Sequence, residues 1–161
     1  MLKGLEVVVR FATPTLAREF EDLHPHARAY VFALAHHCKR NGYAPVVLTG
    51  CARDDVKMAR FYPPPKRGPH KGLTWRERKL WSWHLSFPWN DKCRAVDLRN
   101  KKWTQSQRRE ILMWSRKHFP DFEFLMHDIG RGDHFHAACP PPGNRYKKLK
   151  RYLMRRDSNA S

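Results

Sequence analysis

The stretch His127-Asp128-Ile129-Gly130-Arg131-Gly132-Asp133-His134-Phe135-His136-Ala137-Ala138 decides how the rest of the chain is read. A glycine-rich approach leads into an aspartate and two histidines. Along a strand, side chains alternate between faces, so His134 and His136 point the same way. Two imidazoles on one side of a sheet, with a carboxylate at the strand mouth, make half of a metal site. Zinc takes about four ligands, and a catalytic zinc keeps one place for water. The missing ligands must come from elsewhere in the chain.

Working back from this stretch, Phe122 to His127 reads as a strand, joined to it by the turn Ile129-Gly130-Arg131-Gly132. Phe119-Pro120 ends a helix that opens at the capping box Thr104-Gln105-Ser106-Gln107 and runs to about Lys117. Ile111, Met113 and Trp114 are its expected inward residues. Cys93 to Leu98 reads as another strand, with Ala95 and Asp97 on one face. An aspartate inside an apolar strand is costly unless it is paired or holds a metal. Asp97 is therefore the strongest candidate for a missing ligand, and His84 in Ser82-Trp83-His84 stands upstream of it.

Farther upstream, Leu5 to Phe11 is valine-rich and reads as a first strand, broken by Thr13-Pro14. A short helix is expected near Leu16 to Leu23. A longer one starts at His24-Pro25, with Ala27, Tyr30, Val31, Leu34 and Cys38 forming a buried face at steps of three and four. Asn41-Gly42 ends it. His36 and His37 are read as structural or solvated. Pro45 to Gly50 reads as a buried strand that delivers Arg53 to its end, where an arginine can face a cleft. A short helix is expected from Asp55 to Phe61. The proline- and glycine-dense stretch from Tyr62 to Lys71 reads as a loop. Trp75, Trp81 and Trp83 suit either stacking on a ligand or packing.

The 161 residues, 41% of them hydrophobic, suffice for one core. The expected class is α+β: a small antiparallel sheet with flanking helices. Residues 1–143 form the single expected domain, and 144–161 a basic tail. No apolar run is long enough for a membrane span. The N-terminal apolar run is too short for a signal-peptide core, so synthesis in a cytoplasm is expected, with action elsewhere only after release. A net charge of +17 calls for a polyanionic partner: nucleic acid, anionic lipid or an anionic cell-wall polymer. Cys38, Cys51, Cys93 and Cys139 make no C-x-x-C pair and read as small hydrophobes.

His84, Asp97 and His136 suit zinc, with borderline-soft nitrogens and one hard oxygen. Water in the remaining position would have its pKa lowered toward about 7. Asp133 could then act as general base and carry the proton to a leaving amine. Arg53 could hold an oxyanion or a substrate carboxylate.

In these residues the chain resembles the D-alanyl-D-alanine carboxypeptidase and phage-endolysin family of zinc peptidases, with the hedgehog/DD-peptidase fold. The family's T-S-G-Y-R-S block is similar to Thr49-Gly50-Cys51-Ala52-Arg53-Asp54. Its S-x-H-x-x-G-x-A-x-D block is similar to Ser82-Trp83-His84 joined to Cys93-Arg94-Ala95-Val96-Asp97. Its final E/D-x-x-H or H-x-H block is similar to Asp133-His134-Phe135-His136, and the resemblance spans about residues 20 to 139. It implies His84, Asp97 and His136 as zinc ligands, Asp133 as base, Arg53 at the tetrahedral intermediate or on substrate, and Ser82 on the substrate-binding side. The role of His134 stays open. Asp91 lies at the family's shorter spacing from His84, whereas Asp97 matches its strand block. Glycines of the family are replaced by Cys51 and Cys93.

The implied activity is hydrolysis of peptidoglycan stem peptides by a monomeric zinc metallopeptidase, endolysin or D,D-/L,D-carboxypeptidase in type. An anionic wall polymer is a fitting further partner. The alternatives are a non-catalytic polyanion-binding domain of the same fold, zinc-bound or metal-free, and a metal-dependent nuclease; nucleic acid is the less favoured partner.

Overall fold

A computed structural model of the protein describes residues 9–52, 55–75, 84, 92–127 and 134–140. Its elements, in chain order, are β1 (Val9–Phe11), α1 (Pro14–Glu21), α2 (Pro25–Arg40), β2 (Val46–Gly50), α3 (Asp55–Phe61), β3 (Ala95–Arg99), α4 (Gln105–His118), β4 (Glu123–His127) and β5 (His134–Ala138). The expected start of the first strand and the basic tail lie outside the described residues.

Local chemistry sets the helix boundaries. Both α1 and α2 begin with proline, whose missing N–H is no loss in a first turn. His24 caps α2, its Nδ1 accepting from the His26 amide at 3.3 Å. Ala27, Tyr30, Val31, Leu34 and Cys38 of α2 are buried as expected, with Ala35 added to the same face. Asn41 closes the helix by donating from its side chain to the His37 carbonyl at 2.8 Å, and Gly42 follows with φ of 66°. In α4 the capping box is complete: Thr104 Oγ1 accepts from the Gln107 amide at 3.2 Å, and the Thr104 amide donates to Gln107 Oε1 at 2.9 Å. Ile111 and Ser115 are the buried residues of α4, and Trp114 is half-buried. Met113 departs from expectation, being 72% exposed. A four-residue step from Ile111 reaches Ser115, while Met113 falls on the far side of the helix.

The five strands form one sheet in the order β1-β2-β3-β5-β4. Pairing is antiparallel for β2 with β3, β3 with β5 and β5 with β4. The edge strand β1 runs parallel to β2, so the sheet is mixed rather than antiparallel throughout. Helices α1 and α2 intervene between β1 and β2 and return the chain to the same end, the crossover that parallel pairing requires.

One face of the sheet is packed by helices, with α1 and α2 against β1 and β2 and α4 against β4. Val46, Leu48, Val96, Leu98, Phe135 and Ala137 meet Leu16, Phe20, Val31, Leu34 and Ile111 in this core. Tyr30 sits among Phe119, Phe122 and Phe124, and its hydroxyl is 3.0 Å from Ser115 Oγ. Burial pushes the Tyr30 phenol far up, so it stays a neutral hydrogen-bonding group. All four cysteines are buried and none forms a disulfide, and burial pushes the Cys38 thiol to about 12. They act as small hydrophobes, as the sequence suggests.

His37 stacks on Trp114 with ring centroids 4.4 Å apart and is structural, whereas His36 is exposed. Trp75 packs on Met58 of α3 and is a packing residue; Trp81 and Trp83 lie outside the described residues. Among the described residues, no helix is long and apolar enough to cross a membrane.

Candidate metal centre

Strand alternation puts Val96, Leu98, Phe135 and Ala137 into the helix-packed core. The intervening residues Asp97, His134 and His136 therefore share the opposite face. In the β3–β5 ladder Asp97 stands directly across from His136, and Arg99 across from His134. This register brings His136 Nδ1 to 2.9 Å from Asp97 Oδ1. His134 Nε2 approaches the same oxygen at 3.6 Å.

His84 completes the group from a distant part of the chain. It is 1% exposed, and its Nε2 lies 3.3 Å from Asp97 Oδ1 and 3.3 Å from His136 Nδ1. Its other ring nitrogen, Nδ1, faces the carbonyl of Cys51 at 2.5 Å. A carbonyl only accepts, so Nδ1 carries a proton, and Nε2, turned to Asp97 and His136, is the nitrogen left to ligate a metal. That is the state in which a histidine ligates a metal, its second nitrogen oriented by a backbone carbonyl.

The bed for Asp97 is Gly50. In a regular ladder, Leu48 opposite Leu98 would put Gly50 opposite Val96. The register shifts between Leu48 and Gly50, and Gly50 pairs with Asp97 instead. Such a bulge re-aims side chains beside sites. A Cβ on Gly50 would come within 2.8 Å of Asp97 Oδ2 and 3.2 Å of Asp97 Cβ. Glycine is therefore required by close approach rather than by backbone conformation. Thr49 adds a hydrogen bond from Oγ1 to the Asp97 carbonyl at 3.1 Å.

Burial alone would push the Asp97 carboxyl up. The charge of His84, the hydrogen bonds from His136 and His84, and the charge of His136 together hold it well below the usual carboxylate range. Asp97 is thus an ionised carboxylate in a buried place.

His84, Asp97 and His136 form the one group among the described residues whose ligand atoms are close enough to share a metal ion. Zinc bonds of about 2.0–2.1 Å at tetrahedral angles separate neighbouring ligand atoms by about 3.3–3.4 Å. Two of the three separations here are 3.3 Å and the third is 2.9 Å. The donor set and its spacing fit a small divalent cation.

Of the residues read from sequence, His84, Asp97 and His136 come together, and His134 stands beside them. Arg53, Ser82, Asp133 and the alternative ligand Asp91 lie outside the described residues. Gly50 and the Cys51 carbonyl are the additions. The first depends on a bulge and a non-local strand pair, and the second is a backbone group that every residue has. Comparison with family models, curated proteins and solved structures finds no match to the chain.

Proposed function

We propose that the protein is a zinc-dependent peptidase that hydrolyses peptide bonds of peptidoglycan stem peptides, an endolysin or a D,D- or L,D-carboxypeptidase on a hedgehog/DD-peptidase-like fold. The observation that carries the proposal is the convergence of His84 Nε2, His136 Nδ1 and Asp97 Oδ1 on one small buried volume. The order of the sequence blocks around these residues supports the choice of reaction.

A zinc ion held by His84, Asp97 and His136 would supply a Lewis acid and an activated water at that point. In this reading Asp133 takes the proton from the water and passes it to the leaving amine. Arg53 pairs with the oxyanion or with a substrate carboxylate, and Ser82 binds substrate. His134 is assigned a place beside the ligands rather than among them, because its Nε2 is farther from Asp97 Oδ1, at 3.6 Å, than either ligand nitrogen. The net charge of +17 suits a substrate embedded in an anionic wall.

The test combines metal analysis with product identification. Protein purified without chelator is expected to carry about one zinc per chain, the open three-ligand form of a catalytic site. His84→Ala, Asp97→Ala and His136→Ala should lose it. Purified peptidoglycan should release fragments whose masses reveal cleaved stem peptides, and Asp133→Ala should keep zinc but lose that release. Zinc-loaded protein that leaves wall peptides intact, or that cuts nucleic acid instead, would overturn the peptidase reading.

A further inference from the structure

The segment between β2 and α3 carries two successive carbonyls with different partners. That of Cys51 accepts from His84 Nδ1. That of Ala52 accepts from the Lys57 ammonium at 3.2 Å. Lys57, in the first turn of α3, also forms an ion pair with Glu19 Oε1 of α1. Glu19 is anchored by its neighbour Phe20, which is buried in the core beside Phe11 and Phe32. A continuous path of contacts thus runs from α1 through Lys57 to the turn that orients His84.

The ion pair is poorly explained by stability. The Glu19 side chain is only 16% exposed, and its Oε2 is buried without a hydrogen-bond partner among the described residues. Desolvating a carboxylate in this way offsets much of what the pairing returns. The cationic end does, however, fix the direction of a carbonyl one peptide away from the His84 contact. The Cys51 side chain is itself buried in the core, so the two-residue segment is held from both ends.

We infer that Glu19 and Lys57 are positioning residues of the metal centre: by holding the Ala52 carbonyl they aim the Cys51 carbonyl at His84 and keep its Nδ1–H, Nε2-ligating tautomer. This rests on the reading of His84, Asp97 and His136 as metal ligands. Neither residue belongs to the group that would hold the metal. Their effect reaches the site through one ring, in the manner of the outer groups that orient ligating histidines elsewhere.

The experiment compares wild type with Lys57→Met, Lys57→Arg and Glu19→Gln in two measurements. The first is zinc affinity by competition with a chromophoric chelator. The second is the pair of His84 ring-nitrogen chemical shifts in the metal-free protein in alkaline buffer, which report the tautomer and which a merely structural change would leave alone. Lys57→Met is expected to weaken zinc binding by about 10- to 100-fold, the usual cost of losing an outer orienting group. Stoichiometry at saturation should be unchanged, and the His84 signals should move toward a mixture of tautomers. Lys57→Arg should restore both. If Lys57→Met fails to fold, Glu19→Gln, which keeps size and shape, provides the same comparison. Zinc affinity within about twofold of wild type together with an unchanged tautomer would overturn the inference, since an outer orienting group is worth about tenfold or more. A wild type that takes up no zinc would instead sink the metal reading, and the metal-free shifts would still decide whether Lys57 sets the tautomer.

Discussion

Asp97 illustrates how one residue can be both legible and incomplete in sequence. A carboxylate within Cys93-Arg94-Ala95-Val96-Asp97-Leu98 is conspicuous because burial penalises it, and that penalty is what singles it out. What makes its position tenable is not visible there. Gly50 sits 47 positions earlier and meets Asp97 only because a bulge moves it out of phase with Leu48. The consequence is testable at the residue itself. Gly50→Ala places a methyl 2.8 Å from Asp97 Oδ2, and the neighbour cannot yield without leaving His136. The variant is expected to bind zinc about tenfold or more weakly, the scale of a disturbed ligand environment. It should also lose about 1–3 kcal/mol of stability from overpacking. Metal titration and chemical denaturation check the two parts separately.

An element is legible in sequence where a hydrophobic period and an end signal coincide. Helix α2 has both, in Ala27, Tyr30, Val31, Leu34 and Cys38 followed by Asn41-Gly42, and its buried face is as expected. In α4 the end signal is sound but hydrophobicity misleads over Met113, where phase along the helix is the better guide. Strand direction was the harder matter. Nothing in the residues of β1 specifies parallel pairing; that follows from two helices lying between it and β2. The reciprocal Thr104–Gln107 bonds allow a prediction for α4. Thr104→Ala should cost about 1 kcal/mol, the typical value of an N-cap oxygen. A urea midpoint that falls with an unchanged slope would show it, and the zinc site should be unaffected, because the cap is not among the groups that touch His84, Asp97 or His136.

At the scale of the molecule, composition favours a polyanionic setting without choosing one, since a charge of +17 suits nucleic acid as well as a cell wall. The candidate ligands His84, Asp97 and His136 were legible because their residue types are chemically distinctive, whereas the Cys51 and Ala52 carbonyls, which accept from His84 and Lys57, are backbone groups that become visible only in three dimensions. The register of β3 against β5 has a consequence for the order of events in folding. Asp97 and His136 are 39 residues apart, and His84 and His136 are 52 apart. His84 and Asp97 are only 13 residues apart, but this sequence-near pair lacks its third member until β5 joins β3, so the complete site exists only once the central strands have paired. Zinc should then bind after the rate-limiting step. Refolding followed by tryptophan fluorescence should proceed at the same rate with or without zinc, while unfolding slows by about 100-fold when zinc is present at about 100 times its Kd. Faster refolding in zinc would mean instead that the ligands meet before the sheet is complete. The ion would then behave as a late latch on a finished sheet, governing how long the native state lasts rather than how quickly it is reached.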